Sequence, residues 1–381
     1  MDTFFKCPRC GNQNPRFIGT KNGKPYCRLC VGFSGEEAAP PSRKPKNVRL
    51  SLGYRLSRKQ KELSDKVIAN YKAGINTLVY AVCGSGKTEI SYGVIAEAMA
   101  RGDAVGFALP RRDVVVELYY RIKEAFPNNK IVAVYGGHHQ TLTGDCVVLT
   151  THQLYRYPDY FDLLVMDEID AFPFKDNEVL NRFYRRALRG HCLLMSATPS
   201  KDVMEEFKKS GHDTLMLRTR FHRKPIPVPQ IKIRPFFVKI ISLIRVLRRF
   251  QKEKKPCFIF VPTVENSQKT YQTISRFIPK GNYVSSKRKG RERIISEFKK
   301  GKYNYLVTTA VLERGVTIKN LQVIVLGADD PIYDAAALIQ IAGRAGRKAD
   351  APNGEVIFYA DFESRAMVKA IQEIKFCNEF L

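Results

Sequence analysis

Residues 81–88, AVCGSGKT, restrict the fold of this 381-residue chain more than any other segment. An apolar run, Thr77–Val82, precedes the glycines, and an amphipathic stretch, Glu89–Arg101, follows them. This order predicts a strand, a glycine-rich loop and a helix, with loop N–H groups and the helix N-terminus surrounding phosphate groups. The segment departs from the general pattern at its first position, where Ala81 replaces glycine.

The side chains of this loop suit a nucleoside triphosphate. Lys87 is expected to reach the β- and γ-phosphates, and the hydroxyl of Thr88 is expected to bind Mg²⁺. The loop therefore supplies five candidate ATP-binding residues, Gly84, Ser85, Gly86, Lys87 and Thr88.

Two carboxylates complete this chemistry. Asp167 and Glu168 directly follow the apolar run Leu163–Met166. A carboxylate at the carboxyl end of a strand in a parallel sheet faces the nucleotide. Asp167 is expected to hold Mg²⁺ through water, and Glu168 to orient and activate the attacking water. The pattern predicts an ATP hydrolase.

Short, continuous apolar runs alternate with amphipathic stretches from about Gly53 onwards. Such runs are typical of parallel strands covered on both faces, so the predicted fold class is α/β with two parallel-sheet lobes. The predicted strands are Thr77–Val82, Ala104–Leu109, Ile131–Tyr135, Cys146–Thr150, Leu163–Met166, Leu193–Met195, Cys257–Val261, Tyr305–Thr308, Val323–Gly327 and Glu355–Tyr359. The predicted helices include Glu89–Arg101, Asp113–Phe126 and Glu363–Phe376.

Changes in composition predict five segments. Residues 1–33 hold two cysteine pairs, and 34–52, rich in proline and charge, are predicted to be a linker. Residues 53–217 form the first, ATP-binding lobe, 218–230 a proline-rich basic connector, and 231–381 the second lobe.

The cysteine pairs have the spacing of a metal site. Cys7 and Cys10 form one pair and Cys27 and Cys30 the other, giving C-x₂-C-x₁₆-C-x₂-C. Four thiolates at this spacing predict a closed, tetrahedral and therefore structural Zn²⁺ site. Disulfides are the alternative, and they are disfavoured in a reducing compartment.

The charge of the chain indicates a polyanionic partner. There are 64 lysines and arginines against 37 aspartates and glutamates, for a net charge of +27. Nucleic acid is the commonest such partner, and an anionic membrane leaflet is a second. The most apolar run, Phe236–Leu247, is interrupted by Lys239 and Arg245, so no membrane span is predicted. The N-terminus lacks a signal-peptide layout, so the expected location is the cytoplasm.

The order of motifs resembles that of superfamily 2 helicases, whose members have two RecA-like lobes. The motifs that carry this resemblance are AVCGSGKT, DEID, MSATP, FVPTVENSQ, TTAVLERGVTI and QIAGRAGR, with LSRKQ upstream. The resemblance implies that Gln60 reads adenine and that Arg344 and Arg347 act as arginine fingers on the γ-phosphate. It also implies that Ser196, Ala197 and Thr198 couple the nucleotide state to the nucleic-acid face.

The same resemblance suggests nucleic-acid contacts, made by groups that bind phosphates without reading bases. In the first lobe these are Arg111, Gly136, Gly137 and Thr151, although Thr151 could equally be a helix cap. In the second lobe they are Thr308, Thr309 and Arg314.

The four-cysteine module narrows the resemblance. Combined with AVCGSGKTE, DEIDAFPF, RFHRKPIPVPQ and QIAGRAGR, it is similar to the bacterial competence ATPase family ComFA. That resemblance implies an ATP-driven motor that draws single-stranded DNA through a membrane channel during natural transformation. It also implies contacts with the channel and other competence proteins, and a peripheral position at the inner face of the membrane.

Other functions fit parts of the sequence. A PriA-like replication-restart helicase shares much of the motif set but carries a separate N-terminal DNA-binding domain and a larger zinc region. A DEAD-box RNA helicase is disfavoured by DEID and by Gln340 at the start of the last motif. A non-catalytic zinc-containing nucleic-acid-binding protein would not need the intact catalytic positions. A nuclease-coupled translocase would need a further carboxylate–histidine cluster.

Overall fold

The computed structural model describes residues 5–82, 84–169, 177–198, 201–217, 220, 224–309, 318–348 and 350–379, without the side chains of 201–203 and 206. The backbone divides into two compact units. The first unit falls within residues 1–81 and 86–217, and the second within 82–85 and 218–381. Each unit contains one large parallel sheet, so the predicted α/β fold with two parallel-sheet lobes is confirmed.

The first unit begins with a small cysteine-rich module. Its strands β1 (Ile18–Lys21) and β2 (Lys24–Cys27) form an antiparallel hairpin that closes at Asn22 and Gly23. Both turn residues have positive φ values, of 51° and 72°, the backbone conformation that a tight two-residue hairpin requires. The hairpin brings Cys27 close to the segment that holds Cys7 and Cys10.

The main sheet of the first unit contains seven described strands. They are β3 (Thr77–Ala81), β4 (Val105–Leu109), β5 (Ile131–Val134), β6 (Cys146–Thr150), β7 (Phe161–Asp167), β8 (Leu188–Ser196) and β9 (Asp213–Leu217). All neighbours are parallel, in the order β5–β6–β4–β7–β8–β3–β9. Every residue of β3, β4, β6 and β7 is buried, which explains why these strands are continuous apolar runs.

Helices cover both faces of this sheet. They are α1 (Arg58–Lys72), α2 (Lys87–Arg101), α3 (Arg112–Ala125), α4 (Glu178–Ala187) and α5 (Lys201–Lys209), with a 3₁₀ helix at Thr151–Arg156. Successive side chains of a strand enter separate cores, as with Leu78 on one face and Val79 on the other. Helix α2 ends at Gly102, whose φ of 79° terminates the helix.

The second unit repeats the same architecture. Its strands are β10 (Gln230–Ile233), β11 (Cys257–Phe260), β12 (Gly281–Val284), β13 (Tyr305–Thr308), β14 (Gln322–Leu326) and β15 (Val356–Ala360). They are all parallel, in the order β10–β15–β14–β11–β13–β12. The helices are α6 (Phe236–Lys252), α7 (Val264–Ser275), α8 (Arg291–Lys299), α9 (Ala335–Ala342) and α10 (Arg365–Asn378).

Residues 34–52, predicted to be a linker, are held against the first unit along their length. Three backbone hydrogen bonds tie them to it, Ala38 N to Arg156 O at 2.7 Å, Lys46 N to Ala100 O at 3.1 Å and Ser51 N to Ala125 O at 2.8 Å. These contacts are spaced along the segment, so it runs over the unit as a strap.

Of the helices in the described part of the chain, none combines the length and the apolarity needed to cross a bilayer. The apolar run Phe236–Leu247 forms the first part of α6 and carries the ion pair of Lys239 with Asp361, with 2.8 Å between Nζ and Oδ1.

A buried carboxylate anchors the strap to the sheet. Asp162 in β7 accepts hydrogen bonds from the Arg189 side chain at 2.9 and 2.6 Å, from Ala104 N at 2.9 Å and from Arg43 of the strap. Burial alone raises the pKa of Asp162, but these hydrogen bonds outweigh it, and the net pKa lies below its usual value.

We predict that Asp162→Asn lowers the free energy of unfolding by about 1–3 kcal/mol at pH 7, because it removes the charge that these donors share. A carboxyl group with a depressed folded-state pKa contributes stability above its unfolded pKa of about 3.9 and loses it as the pH falls through the folded value. The difference between the two proteins should therefore shrink below about pH 4 in urea unfolding. The control Asp65→Asn, at an exposed ion pair with Lys61, should change stability by less than about 0.5 kcal/mol. An equal loss in both variants would contradict this account.

Candidate nucleotide and metal sites

Three neighbouring strands of the first unit end at the candidate nucleotide site. β8 lies between β3 and β7, with Tyr80 opposite Ser196 and Met195 opposite Asp167. Parallel strands present their carboxyl ends at one edge, so the loops after β3, β7 and β8 converge there.

Lys87 and Asp167 meet at this edge. Lys87 is the first residue of α2 and Asp167 the last of β7, and 3.6 Å separates Nζ from the Asp167 Oδ1 atom. Both side chains are largely buried, which strengthens their attraction relative to bulk water. The two side chains that the sequence assigns to the phosphates and to Mg²⁺ thus lie together.

The glycines of the loop have the backbone conformation that phosphate binding needs. Gly84 and Gly86 both have φ of 82°, which L side chains rarely adopt. A Cβ atom at Gly86 would also lie 2.2 Å from Nε2 of Gln60. Thr88 follows Lys87 in the first turn of α2, and Ser85 is buried before it. Amides, a hydroxyl, an ammonium and a carboxylate are together the donor set that suits ATP with Mg²⁺.

Glu168 directly follows the strand in a left-handed conformation. Its φ is 60°, and its N–H donates to the Asp167 Oδ1 atom at 2.8 Å. Such backbone costs about 1–3 kcal/mol in a non-glycine residue and persists where surrounding structure enforces it. The chain therefore turns directly after Asp167, at the residue predicted to act on the attacking water.

Gln60 has two structural contacts that its predicted role did not require. Its Oε1 accepts the N–H of Ser57 at 2.9 Å, while the Ser57 hydroxyl accepts the Gln60 N–H at 3.3 Å, forming a capping box at the start of α1. Its side-chain amide also packs against Gly86. Gln60 therefore links α1 to the phosphate loop.

The predicted coupling residues follow β8. Ser196 ends this strand, and its hydroxyl accepts the N–H of Thr198 at 3.0 Å, with Ala197 buried between them. The turn follows β8, which lies between β3 and β7 in the sheet.

The two candidate arginine fingers follow α9 in the second unit. Arg344 is buried, and Arg347 is half-buried with Nε donating to the carbonyl of Gly343 at 3.3 Å. Their loop is held by a residue that the sequence reasoning did not select, Arg220. Its guanidinium donates to the carbonyls of Ala345 at 3.0 Å, of Gly346 at 2.8 Å and of Gly343 at 3.1 Å.

Arg220 is 1% exposed and lies in the predicted connector. The three acceptors described for its guanidinium are backbone carbonyls, which have no residue type to recognise in the sequence. The sequence marks Arg220 by its place in a proline-rich segment and in RFHRKPIPVPQ, and neither feature predicts these contacts.

In the first unit, Arg111 precedes α3, and its Nε lies 3.7 Å from the Asp113 Oδ1 atom. Gly136 and Gly137 form the exposed turn after β5. The ring of Tyr135 stacks on that of His138, with 4.9 Å between centroids, closing this turn. The next arginine, Arg112, places its guanidinium 4.9 Å from the Tyr135 ring centroid, so the loops after β4 and β5 are packed together.

The remaining candidates differ in exposure. Thr151 starts the 3₁₀ helix after β6; it is buried, and its hydroxyl forms no hydrogen bond within the described part of the chain. It therefore does not act as a helix cap there. Thr308 and Thr309 are buried, and the Thr308 hydroxyl donates to the carbonyl of Thr309 at 3.1 Å. Arg314 lies outside the described residues.

The four predicted metal ligands form one cluster. The Sγ atoms of Cys7, Cys10, Cys27 and Cys30 all lie within 4.8 Å of one another. The distances are 3.4 Å for Cys7 to Cys30 and 3.5 Å for Cys10 to Cys27. Disulfide sulfurs would lie about 2.05 Å apart, and the cysteines are free.

The cluster fits a tetrahedral Zn²⁺ ion. Zinc–sulfur bonds of about 2.3 Å would separate the sulfurs by roughly 3.8 Å. The N–H of Cys10 lies 3.5 Å from the sulfur of Cys7, where it would stabilise a thiolate. Burial raises the pKa of Cys10 to about 11 and also raises that of Cys30, so these two thiols favour protons unless a cation replaces them. Burial acts in the same direction on Cys7, but hydrogen bonds from the backbone N–H groups of Cys10 and Arg9 bring its pKa below the usual value.

The module is packed firmly on the first unit. Phe33, just after the last cysteine, has its ring centroid 5.1 Å from that of Phe183 in α4 and 5.8 Å from that of Tyr155. It also stacks on His152 at 6.1 Å. Burial lowers the pKa of His152, which favours the neutral ring in this apolar contact.

Comparison with known proteins identifies the family models and relatives that this chain matches. A family model described as DEAD/DEAH box helicase matches residues 61–207, and one described as Helicase conserved C-terminal domain matches residues 238–349. The chain is 34% identical over 397 residues to competence protein ComFA of Bacillus subtilis strain 168, covering 98% of this chain and 86% of that protein. It is 30% identical to competence protein ComFA of Streptococcus pneumoniae, covering 98% and 90%.

Solved structures show a similar fold. Dbp5 of S. cerevisiae, bound to RNA and ADP BeF3, matches with a TM-score of 0.67 and 17% identity over 86% of this chain and 88% of that one. RecG bound to a three-way DNA junction matches with a TM-score of 0.62 and 20% identity over 86% and 45%. The predicted RecA-like fold of the two lobes is thereby confirmed.

We predict one zinc per chain in freshly purified, reduced protein, measured by elemental analysis. Cys10→Ser should reduce this content because a closed site needs all four ligands. Cys377→Ser, in α10, should keep it. Metal-free wild-type protein, or equal zinc in the two variants, would exclude the zinc assignment.

We predict that Arg220→Ala lowers the ATP turnover number at least about ten-fold with little change in KM, because the loop that carries Arg344 and Arg347 loses three hydrogen bonds. Arg220→Lys should recover part of the rate. The control is Arg234→Ala, whose exposed side chain donates to the neighbouring carbonyl of Ile233. Full turnover by Arg220→Ala, with an unchanged melting temperature, would show that these bonds do not position the loop.

Proposed function

Because this chain belongs to the ComFA family of competence proteins and is a superfamily 2 nucleic-acid-dependent ATPase, we propose that it is a motor that moves along single-stranded DNA. In natural transformation this movement would draw the incoming strand into the cell. The observation that carries the proposal is the Lys87–Asp167 pair at the carboxyl edge of the first sheet. Similarity to ComFA over nearly the whole chain supports the role in DNA uptake.

The residues of the first unit divide the chemistry of hydrolysis. The amides of the phosphate loop and the ammonium of Lys87 bind the phosphates, and Thr88 and Asp167 hold Mg²⁺. When bound, Mg²⁺ neutralises charge that develops on the phosphate oxygens. Glu168, the next residue after Asp167, orients water and accepts its proton.

Gln60 and the second unit complete the proposed cycle. The contact of the Gln60 amide with Gly86 lets adenine recognition influence the phosphate loop. Arg344 and Arg347 supply positive charge for the γ-phosphate, so hydrolysis depends on the state of both units. Ser196, Ala197 and Thr198 transmit the nucleotide state to the residues that hold DNA.

Single-stranded DNA is held through its phosphates in this proposal. Arg111, Gly136, Gly137 and Thr151 follow β4, β5 and β6, three neighbouring strands of one sheet. Thr151 is 1% exposed, so in this proposal a local shift of the segment after β6 opens its hydroxyl, which has no partner in the described chain, to a phosphate oxygen. Thr308, Thr309 and Arg314 provide the corresponding contacts of the second unit, and a membrane DNA channel with its associated competence proteins would supply the strand from the inner face of the membrane.

We predict that single-stranded DNA stimulates steady-state ATP hydrolysis more than duplex DNA, forked DNA or RNA does. Lys87→Ala should abolish turnover because it removes the ammonium that pairs with phosphates, yet it should leave DNA affinity within about two-fold. Lys72→Ala, at the opposite edge of the sheet, is the control and should keep full turnover.

The nucleic acid that stimulates ATP hydrolysis most distinguishes the proposed function from its alternatives. Stimulation by forked duplex would favour a replication-restart helicase, and stimulation by RNA an RNA helicase. Turnover by Lys87→Ala equal to the wild-type rate would exclude the phosphate-loop assignment.

A further inference from the structure

A basic groove lies between the cysteine module and α4, away from the nucleotide site. It has a volume of about 400 Å³ and is lined by Lys6, Arg9, Arg182, Arg185 and Arg186 together with the loop Cys7–Gly11. Every charged side chain in this lining is cationic. We call this feature the module groove.

Hydrogen bonds fix the shape of the module groove. Arg182 of α4 donates to the carbonyl of Cys10 at 3.1 Å, joining the two walls. Arg186 donates to the carbonyl of Tyr155 at 3.0 Å, and Arg9 donates to the carbonyl of Phe33. The walls are therefore held in place before any ligand arrives, which reduces the entropy cost of binding.

Part of the groove's charge is not neutralised by protein carboxylates. Arg182 pairs with Glu178 and Arg186 with Glu37 at its margin. Lys6, Arg9 and Arg185 form no ion pair with any described residue, and Lys6 and Arg185 are exposed. A loaded zinc site would add negative charge at the sulfurs. The exposed side chains of Lys6 and Arg185 are the cations that a ligand can reach directly, whereas Arg9 is half-buried and bonded to the carbonyl of Phe33.

The module groove adjoins the predicted DNA contacts of the first unit. The 3₁₀ helix Thr151–Arg156 begins with Thr151, and its His152 and Tyr155 pack on Phe33 of the module. Tyr155 also accepts the hydrogen bond from Arg186 of the groove. A DNA strand bound at Thr151 would therefore be separated from the cationic groove by the 3₁₀ helix Thr151–Arg156.

We propose that the module groove binds the phosphodiester backbone of single-stranded DNA and lengthens the track that the first unit holds. This inference rests on the proposed function. The zinc module then has a role beyond stability, because its loop Cys7–Gly11 forms one wall of the track. Arginine and lysine side chains at such a groove bind phosphates without base preference.

The observations favour nucleic acid over an acidic protein. A phosphodiester chain offers charge at every nucleotide, and Arg186 of the groove is hydrogen-bonded to the 3₁₀ helix that begins at Thr151. An acidic protein segment would match the charges but would have no reason to continue along the 3₁₀ helix.

The test uses the zinc-loaded full chain with Lys6→Ser and Arg185→Ser combined. The control combines Lys72→Ser and Lys123→Ser, which remove the same charge from the last turns of α1 and α3, at the amino edge of the sheet. Affinity for fluorescent oligo-dT of increasing length is measured without nucleotide at several salt concentrations. Zinc content and melting temperature are recorded for each protein.

The groove variant should lose roughly ten-fold in affinity for long oligonucleotides and little for short ones that fill only the motor contacts. Its slope of log affinity against log salt should fall by about 1.4, because two phosphate contacts are lost at about 0.7 each. The control should match the wild-type length dependence apart from a small uniform loss.

Length dependence and salt slope equal to those of the control would overturn the proposal, and the groove's charges would then suit an acidic protein instead. Failure of the proposed function appears separately, as absence of stimulation of wild-type ATP turnover by single-stranded DNA. Stimulated wild-type turnover together with an unchanged groove variant would reject the module groove alone.

Discussion

The alignment of three strand ends determines what this molecule can do. β3, β8 and β7 run parallel and adjacent, so their carboxyl ends bring Lys87 within 3.6 Å of Asp167 although the chain separates them widely. An ammonium and a carboxylate held together in a largely buried site cost desolvation energy. Phosphates and Mg²⁺ would offset this cost by binding between charges that are already oriented. The turn at Ser196 follows β8, the strand between β3 and β7, so the proposed coupling residues lie at the same edge of the sheet.

The cysteine module depends on the same sheet in a less direct way. Phe33 packs against Phe183 and Tyr155, which belong to α4 and the 3₁₀ helix that follow β7 and β6. The strap of residues 34–52 then returns along the unit and is anchored at Asp162. The module is thus part of the first unit's packing. A Zn²⁺ ion held by the four cysteines would fix their loop, and with it the basic side chains of that loop that lie against α4.

The sequence predicted the parts of the fold that rest on strong local signals. Buried parallel strands such as β6 and β13 must be continuous apolar runs, and their bounds matched the prediction. β10, Gln230–Ile233, and β12, Gly281–Val284, were missed because both are half-exposed edge strands without such a run. The cysteine cluster followed from spacing alone. The contacts of Arg220 with the carbonyls of Ala345 and Gly346 could not be predicted, because a backbone carbonyl has no residue type to recognise.

Arg220 also bears on how a two-unit motor can be controlled. The connector is attached to the second unit at Arg220 and at Ile226, whose N–H and carbonyl both bond the side chain of Asn378 in α10, at 2.8 and 2.9 Å. These bonds join the connector to the second unit's own structure, so a displacement of the connector would act on the loop of Arg344 and Arg347 through three hydrogen bonds. A loop held only by side-chain packing could shift while the connector stayed in place. Because Arg220 of the connector binds three carbonyls of this loop, the position of the candidate arginine fingers depends on the segment that joins the two units.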